Sequence, residues 1–202
     1  MHPFACLPAT WYHLAVMPKE FPRLIIALTV TALVVGFLVA VVERITREPI
    51  ATAEARAFTK ALRSILPPDS PAPQPVVITL DDGTTNTVYI AGKAIAIEIA
   101  TPNGYGGEID ILLGFDKDDT LYGYSVIRQH ETPGLGDKIK SPHFANTLLK
   151  RNAFATDWRV TKDGGDIDAI TAATVSSRAV LDAIRSALPL LRTTRINVAE
   201  PM

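Results

Sequence analysis

Cysteine is almost missing from this chain of 202 residues: Cys6 is the only one. A single cysteine excludes an internal disulfide framework and a Cys-rich metal site. Cys6 reads as a free thiol rather than a lipidation or redox site, and the cysteine-free remainder suits an oxidising or a reducing compartment equally. Charge of one sign is also scarce as a block. Lys plus Arg number 20 and Asp plus Glu 21, for a formal charge of −1. Without clustered Lys and Arg there is no footprint for nucleic acid. No internal repeat and no low-complexity segment occurs. Long apolar runs are missing too, with one exception.

That exception is Leu24 to Val42, 19 residues without a charge. At 1.5 Å per residue such a helix roughly spans a hydrocarbon core. A buried core helix of this length would keep a polar face. A cleaved signal peptide would have a shorter run and small residues after it, whereas Glu43-Arg44-Ile45-Thr46-Arg47-Glu48 follows. The run therefore reads as an uncleaved anchor, with Trp11 and Tyr12 before it suited to a membrane interface. Positive charges, Lys19 and Arg23 before and Arg44, Arg47, Arg56 and Lys60 after, do not decide orientation, because long C-terminal domains translocate largely regardless of charge.

The rest has the composition of one globular domain. Phe58, Leu62, Ile65 and Leu66 share one face of a helix expected over Ala53 to Leu66, which Pro67-Pro68 stops. A Pro-rich connection reaches Pro75. Strand patterns follow at Val76 to Leu80, Thr87 to Ile90, Ala94 to Ala100, Glu108 to Phe115 and Leu121 to Gln129. The Asp116–Thr120 turn lacks the ligand spacing of a calcium loop. A short helix is expected over Pro142 to Lys150, a strand at Trp158 to Thr161, and a helix over Ser176 to Leu191 that Pro189 ends or kinks. The class is α+β: twisted antiparallel strands with packed helices. The expected divisions are residues 1–23, a short N-terminal segment; 24–42, the anchor; 43–75, amphipathic helix and connection; and 76–202, the soluble domain.

Two segments carry chemistry. In Asp168-Ala-Ile-Thr-Ala-Ala-Thr-Val-Ser-Ser177, four hydroxyl residues, Thr171, Thr174, Ser176 and Ser177, crowd a helix start. Helix N-termini offer free N–H groups and a favourable dipole end to an anion. Small residues, Ala172 and Ala173, allow close approach. An ordinary N-cap explains one hydroxyl, not four. In Glu131-Thr-Pro-Gly-Leu-Gly-Asp-Lys138, Pro133 stiffens the loop while Gly134 and Gly136 permit positive φ. The result is exposed backbone against which a planar ligand can lie, or simply a stiff turn. Glu131 and Asp137 read as loop polarity rather than an acid–base pair. His130 and His143 have no metal-ligand spacing, and no metal is expected.

Together these segments resemble the FMN-binding domain shared by the G subunit of the Rnf electron-transport complex and the C subunit of the sodium-pumping NADH:quinone reductase. Asp168, Thr171, Ala173, Thr174 and Ser176 match the family's flavin-attachment motif. Ala172 departs from it, standing where the family has Gly; if φ is positive there, Ala costs roughly 1 kcal/mol or more. Glu131 to Gly136 matches the family's Glu-Thr-Pro-Gly-Leu-Gly signature at every position, and Gly104-Tyr105-Gly106-Gly107 resembles its Gly-Tyr-x-Gly stretch.

The resemblance implies FMN joined covalently by a phosphoester to Thr174, placed there by a flavin transferase with FAD as donor. It implies that Thr132 and Leu135 sit against the flavin. Glu131, Gly134, Gly136 and Lys138 would shape the pocket, with Tyr105 nearby. Thr171, Ala173, Ser176 and Ser177 would surround the phosphate. Lys138 would stabilise a reduced anionic flavin. The chain length fits the Rnf protein better than its counterpart in the quinone reductase. The implied role is electron relay in an ion-translocating complex linked to ferredoxin and NAD, beside integral-membrane and iron–sulfur or flavin subunits. The implied location is the bacterial inner membrane, with the N-terminus cytoplasmic and the domain periplasmic, and with no catalytic residue of its own. A non-redox assembly subunit without flavin is the alternative from another class. A free-standing flavoenzyme is a third, disfavoured by the lack of any second cofactor motif.

Overall fold

The computed structural model describes residues 21–80, 83 and 85–199. Cys6, Trp11, Tyr12 and Lys19 lie outside the described residues, as does part of the turn after Leu80. The chain divides into two compact units, residues 1–53 and 54–202. The first helix, α1 (Phe21–Ser64), contributes to both. In the first unit its residues Leu24 to Val42 are all exposed. This helix is long and apolar enough to cross a membrane. Its continuity differs from the two separate helices expected. The residues after Val42 are mostly good helix formers, Arg47 lies 3.9 Å from Glu43 one turn away, and Pro49 removes only its own amide from the ladder.

The second unit is built on a five-stranded antiparallel meander, in sheet order β1 (Gln74–Thr79), β2 (Thr85–Ala91), β3 (Ala94–Thr101), β4 (Ile109–Phe115) and β5 (Leu121–Gln129). Helices α2 (Pro142–Leu148) and α3 (Thr174–Ala199) follow, with short 3₁₀ turns at Gly136–Lys140 and Thr161–Asp163. The α+β class and all five strands agree with the sequence pattern.

Both sheet faces are covered, and the side-chain period of two sorts residues between them. On one face Ile95, Ile97, Ile109, Ile111, Leu113 and Phe115 join Val180, Ile184, Ala187 and Leu191 of α3 in the larger core. On the other, Ala94, Ala96 and Leu112 meet Leu62, Ile65 and Leu66 at the end of α1. Small residues on that side let the helix end approach closely. A Cβ on Gly114 would fall 1.9 Å from the Ile65 carbonyl oxygen, and one on Gly123 would fall 2.2 Å from the Ile65 Cα.

Two further elements differ from expectation. Trp158 to Thr161 forms no strand, only an isolated parallel bridge between Val160 and Ile167. Trp158 is instead a core residue whose indole N–H donates to the Ala153 carbonyl at 2.8 Å. Pro189 does not end α3, which continues to Ala199. Leu190, Leu191 and Thr194 beyond it are buried, and that packing outweighs the lost amide. The Arg195 guanidinium then fastens the helix to the turns of the meander. It reaches Asp119 Oδ1 at 2.6 Å and the carbonyls of Lys93 and Asp116.

Register fixes where the site forms. Thr101 pairs with Ile109, and Ile109 pairs with Gln129. The β3–β4 connection and the segment after β5 therefore leave the sheet at the same end of its strands.

Gly123→Ala should lower stability by about 1–3 kcal/mol, since the added methyl has backbone rather than a movable side chain to displace. Thermal unfolding of the full chain in detergent measures this.

Candidate flavin site

At that end of the sheet Glu131 is a buried carboxylate, 5% exposed, with both oxygens engaged. Oε1 accepts the Gly106 N–H at 3.2 Å, and Oε2 accepts the Ser176 hydroxyl at 2.6 Å. Its own N–H donates to the Gln129 side chain. One side chain thus ties the 102–108 loop, the 130–135 loop and the first turn of α3. Three glycines make room. A Cβ on Gly136 would lie 2.2 Å from Glu131 Oε2, one on Gly104 2.6 Å from Oε1, and one on Gly106 1.9 Å from the His130 carbonyl oxygen. Gly134 is required for another reason: nothing crowds it, but its φ is +78°.

The start of α3 is equally specific. Ala173 N donates to the Ile170 carbonyl at 3.0 Å, closing a β-turn whose third residue, Ala172, has φ +64°. That position favours glycine. Ala172 is therefore an alanine held in the left-handed region. Past the turn, the N–H groups of Thr174, Val175 and Ser176 have no backbone acceptor among the described residues, as expected of a helix start.

The four hydroxyls separate cleanly. Ser176 is 1% exposed and gives its proton to Glu131. Ser177 is fully buried, donates to the Ala173 carbonyl at 3.0 Å and accepts the Ile170 N–H at 3.0 Å. Thr171 is exposed and does not line the cleft described next. Thr174 is half-buried in that cleft, and among the described residues its hydroxyl has no partner.

The cleft measures about 520 Å³ and is lined by Tyr105, Glu131, Thr132, Leu135, Gly136 and residues 172–176. Tyr105, Leu135 and Val175 leave large apolar surfaces exposed along it. The fold thus assembles Tyr105, Glu131, Thr132, Leu135, Gly136, Ala173, Thr174 and Ser176. It leaves Thr171, Gly134, Ser177 and Lys138 out of the lining; Lys138 is exposed on the 3₁₀ turn. Val175 was not singled out in the sequence. Its signal was available: an apolar residue in the first turn of α3, off the face carrying Val180, Ile184 and Leu191.

One ion pair and one hydrogen bond steady the approach to α3. Arg178 grips Asp163 through two hydrogen bonds of 2.7 Å, and that guanidinium holds the Asp163 carboxyl below the usual carboxylate range. Asp168 accepts from the Thr161 hydroxyl at 3.3 Å. Asp137 Oδ1 is buried without a partner but does not line the cleft. A second cavity of about 460 Å³ carries mixed charges, Asp69, Lys93, Asp116, Lys117 and Asp118 among them. There Asp116 Oδ1 is already bonded to the N–H groups of Asp118 and Thr120. Among the described residues no group of three or more His, Cys, Asp or Glu side chains is placed to hold a metal ion.

The family model of the FMN-binding domain matches residues 104–189, the span that contains this cleft. The G subunit of the ion-translocating oxidoreductase complex from Vibrio cholerae serotype O1 (strain M66-2) is 37% identical over 179 residues, covering 80% of this chain and 85% of the relative. This chain belongs to the G-subunit family of ion-translocating oxidoreductase complexes. The family's Shewanella piezotolerans member is 34% identical over 190 residues, 85% of this chain and 89% of its own. A crystal structure of Shewanella oneidensis NqrC is similar at TM-score 0.44 and 20% identity, covering 54% of this chain and 61% of that one.

The residues present fit the group that the family's domain is named for. They offer three free amide donors, an unpartnered threonine hydroxyl and apolar walls in one cleft. Ala172→Gly should raise the stability of the chain by about 1 kcal/mol, because it relieves a left-handed alanine. The midpoint of thermal unfolding reports it.

Proposed function

We propose that this chain is the flavin-carrying electron-transfer subunit of a membrane-bound, ion-translocating redox complex of the ferredoxin- and NAD-linked type, with FMN joined by a phosphoester to Thr174. The observation that carries the attachment site is the sorting of the hydroxyls. Of the four in the motif, Thr174 alone lines the cleft with its oxygen and proton uncommitted. In attachment the Thr174 Oγ1 forms a bond to phosphorus, the pyrophosphate bond of FAD breaks, AMP leaves, and the threonine proton is released without any change of oxidation state. A flavin transferase supplies that step.

The protein's own work is to bind and orient. The Thr174, Val175 and Ser176 amides face an anion at the positive end of α3. Tyr105, Thr132, Leu135 and Val175 supply walls for a planar ring. Glu131 and the three glycines beside it set the distance between those walls. When bound, FMN supplies one- and two-electron redox chemistry that no side chain here provides. A covalent tether prevents loss of the cofactor by dissociation, which matters outside the cytoplasm.

The apolar segment 24–42 supports anchoring in the bacterial inner membrane by a single pass. Residues 1–23 then lie in the cytoplasm, and residues 43–202 carry the connection and the flavin domain on the periplasmic side. The integral-membrane and iron–sulfur or flavin subunits of the complex are the partners in this reading. The strained Ala172 favours a second reading, an assembly protein of the complex whose attachment turn no longer suits the transferase.

Ultraviolet fluorescence of the denatured protein band, after co-expression with a flavin transferase, separates the two readings. The wild type should fluoresce and Thr174→Ala should be dark. A dark wild type, with the transferase active on another acceptor, leaves the assembly role.

A further inference from the structure

The cleft is poor in the one thing most phosphate sites have. Arg or Lys ordinarily faces such an anion, yet among the described residues the only charged one lining this cleft is Glu131. Among the same residues no cation is within ion-pair distance of its carboxylate. What remains to attract an anion is the end of α3, equivalent to roughly half a positive charge, and its three free amides. Glu131 offsets that attraction twice. Its own charge sits in a buried setting where charge–charge terms are strong. It also takes the Ser176 proton at 2.6 Å, so that this hydroxyl has only its oxygen lone pairs left for the cleft and cannot donate to a phosphate.

We infer that Glu131 is a specificity-determining residue: it makes the cleft reject free flavin mononucleotide and accept the flavin whose phosphate is esterified. The inference rests on the flavin reading above. A free phosphomonoester carries nearly two negative charges at neutral pH, whereas the diester formed on Thr174 has one ionisable oxygen and carries one. The amides and the helix end balance the single charge; the second meets Glu131. Retention of the cofactor then depends on the tether, and a chain not yet modified does not trap the free nucleotide in the site that the transferase must fill.

The test uses the full chain in detergent with Thr174→Ala, which removes the attachment point, and compares binding of FMN with riboflavin, the same ring system without phosphate. Riboflavin should bind at least as tightly as FMN. Adding Glu131→Gln keeps an amide oxygen for the Gly106 N–H and places an amide donor toward Ser176. It should tighten FMN about tenfold while riboflavin stays within about twofold, because the carboxylate charge is removed and the Ser176 proton is released from it, and riboflavin carries no phosphate for either change to act on. Ser176→Ala, which removes the hydroxyl but keeps the carboxylate, should leave the FMN-to-riboflavin ratio as in the parent.

FMN binding tenfold or more tighter than riboflavin in the Thr174→Ala chain overturns the inference, as does a ratio unmoved by Glu131→Gln. A Ser176→Ala shift as large as that of Glu131→Gln also overturns it, since the hydrogen bond rather than the charge would then set the preference. If the Thr174→Ala chain binds neither ligand, Glu131→Gln decides: new FMN binding supports the role and its continued absence overturns it. A wild type without covalent flavin, by contrast, sinks the flavin reading itself.

Discussion

The geometry of the cleft depends on one buried carboxylate. Glu131 sits where two sheet connections and a helix start converge, and among the described residues its two oxygens are the side-chain acceptors that join them. A charge-assisted hydrogen bond contributes about 1.5–3 kcal/mol, and leaving its partner unsatisfied costs a comparable amount. The glycines at 104, 106 and 136 follow from this. Each lies where a methyl group would strike the carboxylate or the backbone beside it, so the Gly-rich character of both loops is a packing requirement rather than a sign of mobility. Gly107 and Gly134 are the exceptions, kept for their backbone angles of φ +118° and +78°.

The same contact is one reason why, of the four hydroxyls at this helix start, Thr174 alone stands uncommitted in the cleft. Ser176 and Ser177 are spent on holding α3 to the loops and to its own preceding turn. Thr174 lies between the strained turn at Ala172 and those buried serines, on the side of the helix that faces the cleft. The chemistry of the site is thereby narrowed by what the neighbours consume, and the loops at this end of the sheet and the first turn of α3 narrow it further by placing apolar surface from Tyr105, Leu135 and Val175 around the free hydroxyl.

Much of this was legible in the amino-acid order. Alternation in Ile95, Ile97 and Ile99 marked β3, because its large residues line the face under α3 while its small ones, Ala94 and Ala96, line the face against the end of α1. The two loop motifs stood out by composition. Other features were hidden for physical reasons. The contact between Glu131 and Ser176 spans 45 residues, and no local pattern encodes it. Lys138 looked like a partner for a reduced flavin, yet the 3₁₀ turn at Gly136–Lys140 leaves it exposed and outside the cleft lining. Pro189 read as a breaker, but it does not end its helix. At Pro189 buried Leu190 and Leu191 hold the chain helical, which residue preference alone cannot anticipate. The left-handed angle at Ala172 was anticipated as a condition, and the β-turn closed by Ala173 meets it.

Everything proposed for the cleft turns on a flavin held by one particular oxygen. Trypsin cleavage after Lys162 and Arg178 would release Asp163 to Arg178, a peptide that contains Thr171, Thr174, Ser176 and Ser177 together. Fragment mass analysis of this peptide, from the chain purified out of native membranes, locates any modification to a single residue. The expected result is an added mass of one FMN less one water, carried on Thr174. An unmodified peptide, or the same mass carried on Thr171 or on either serine, would contradict it.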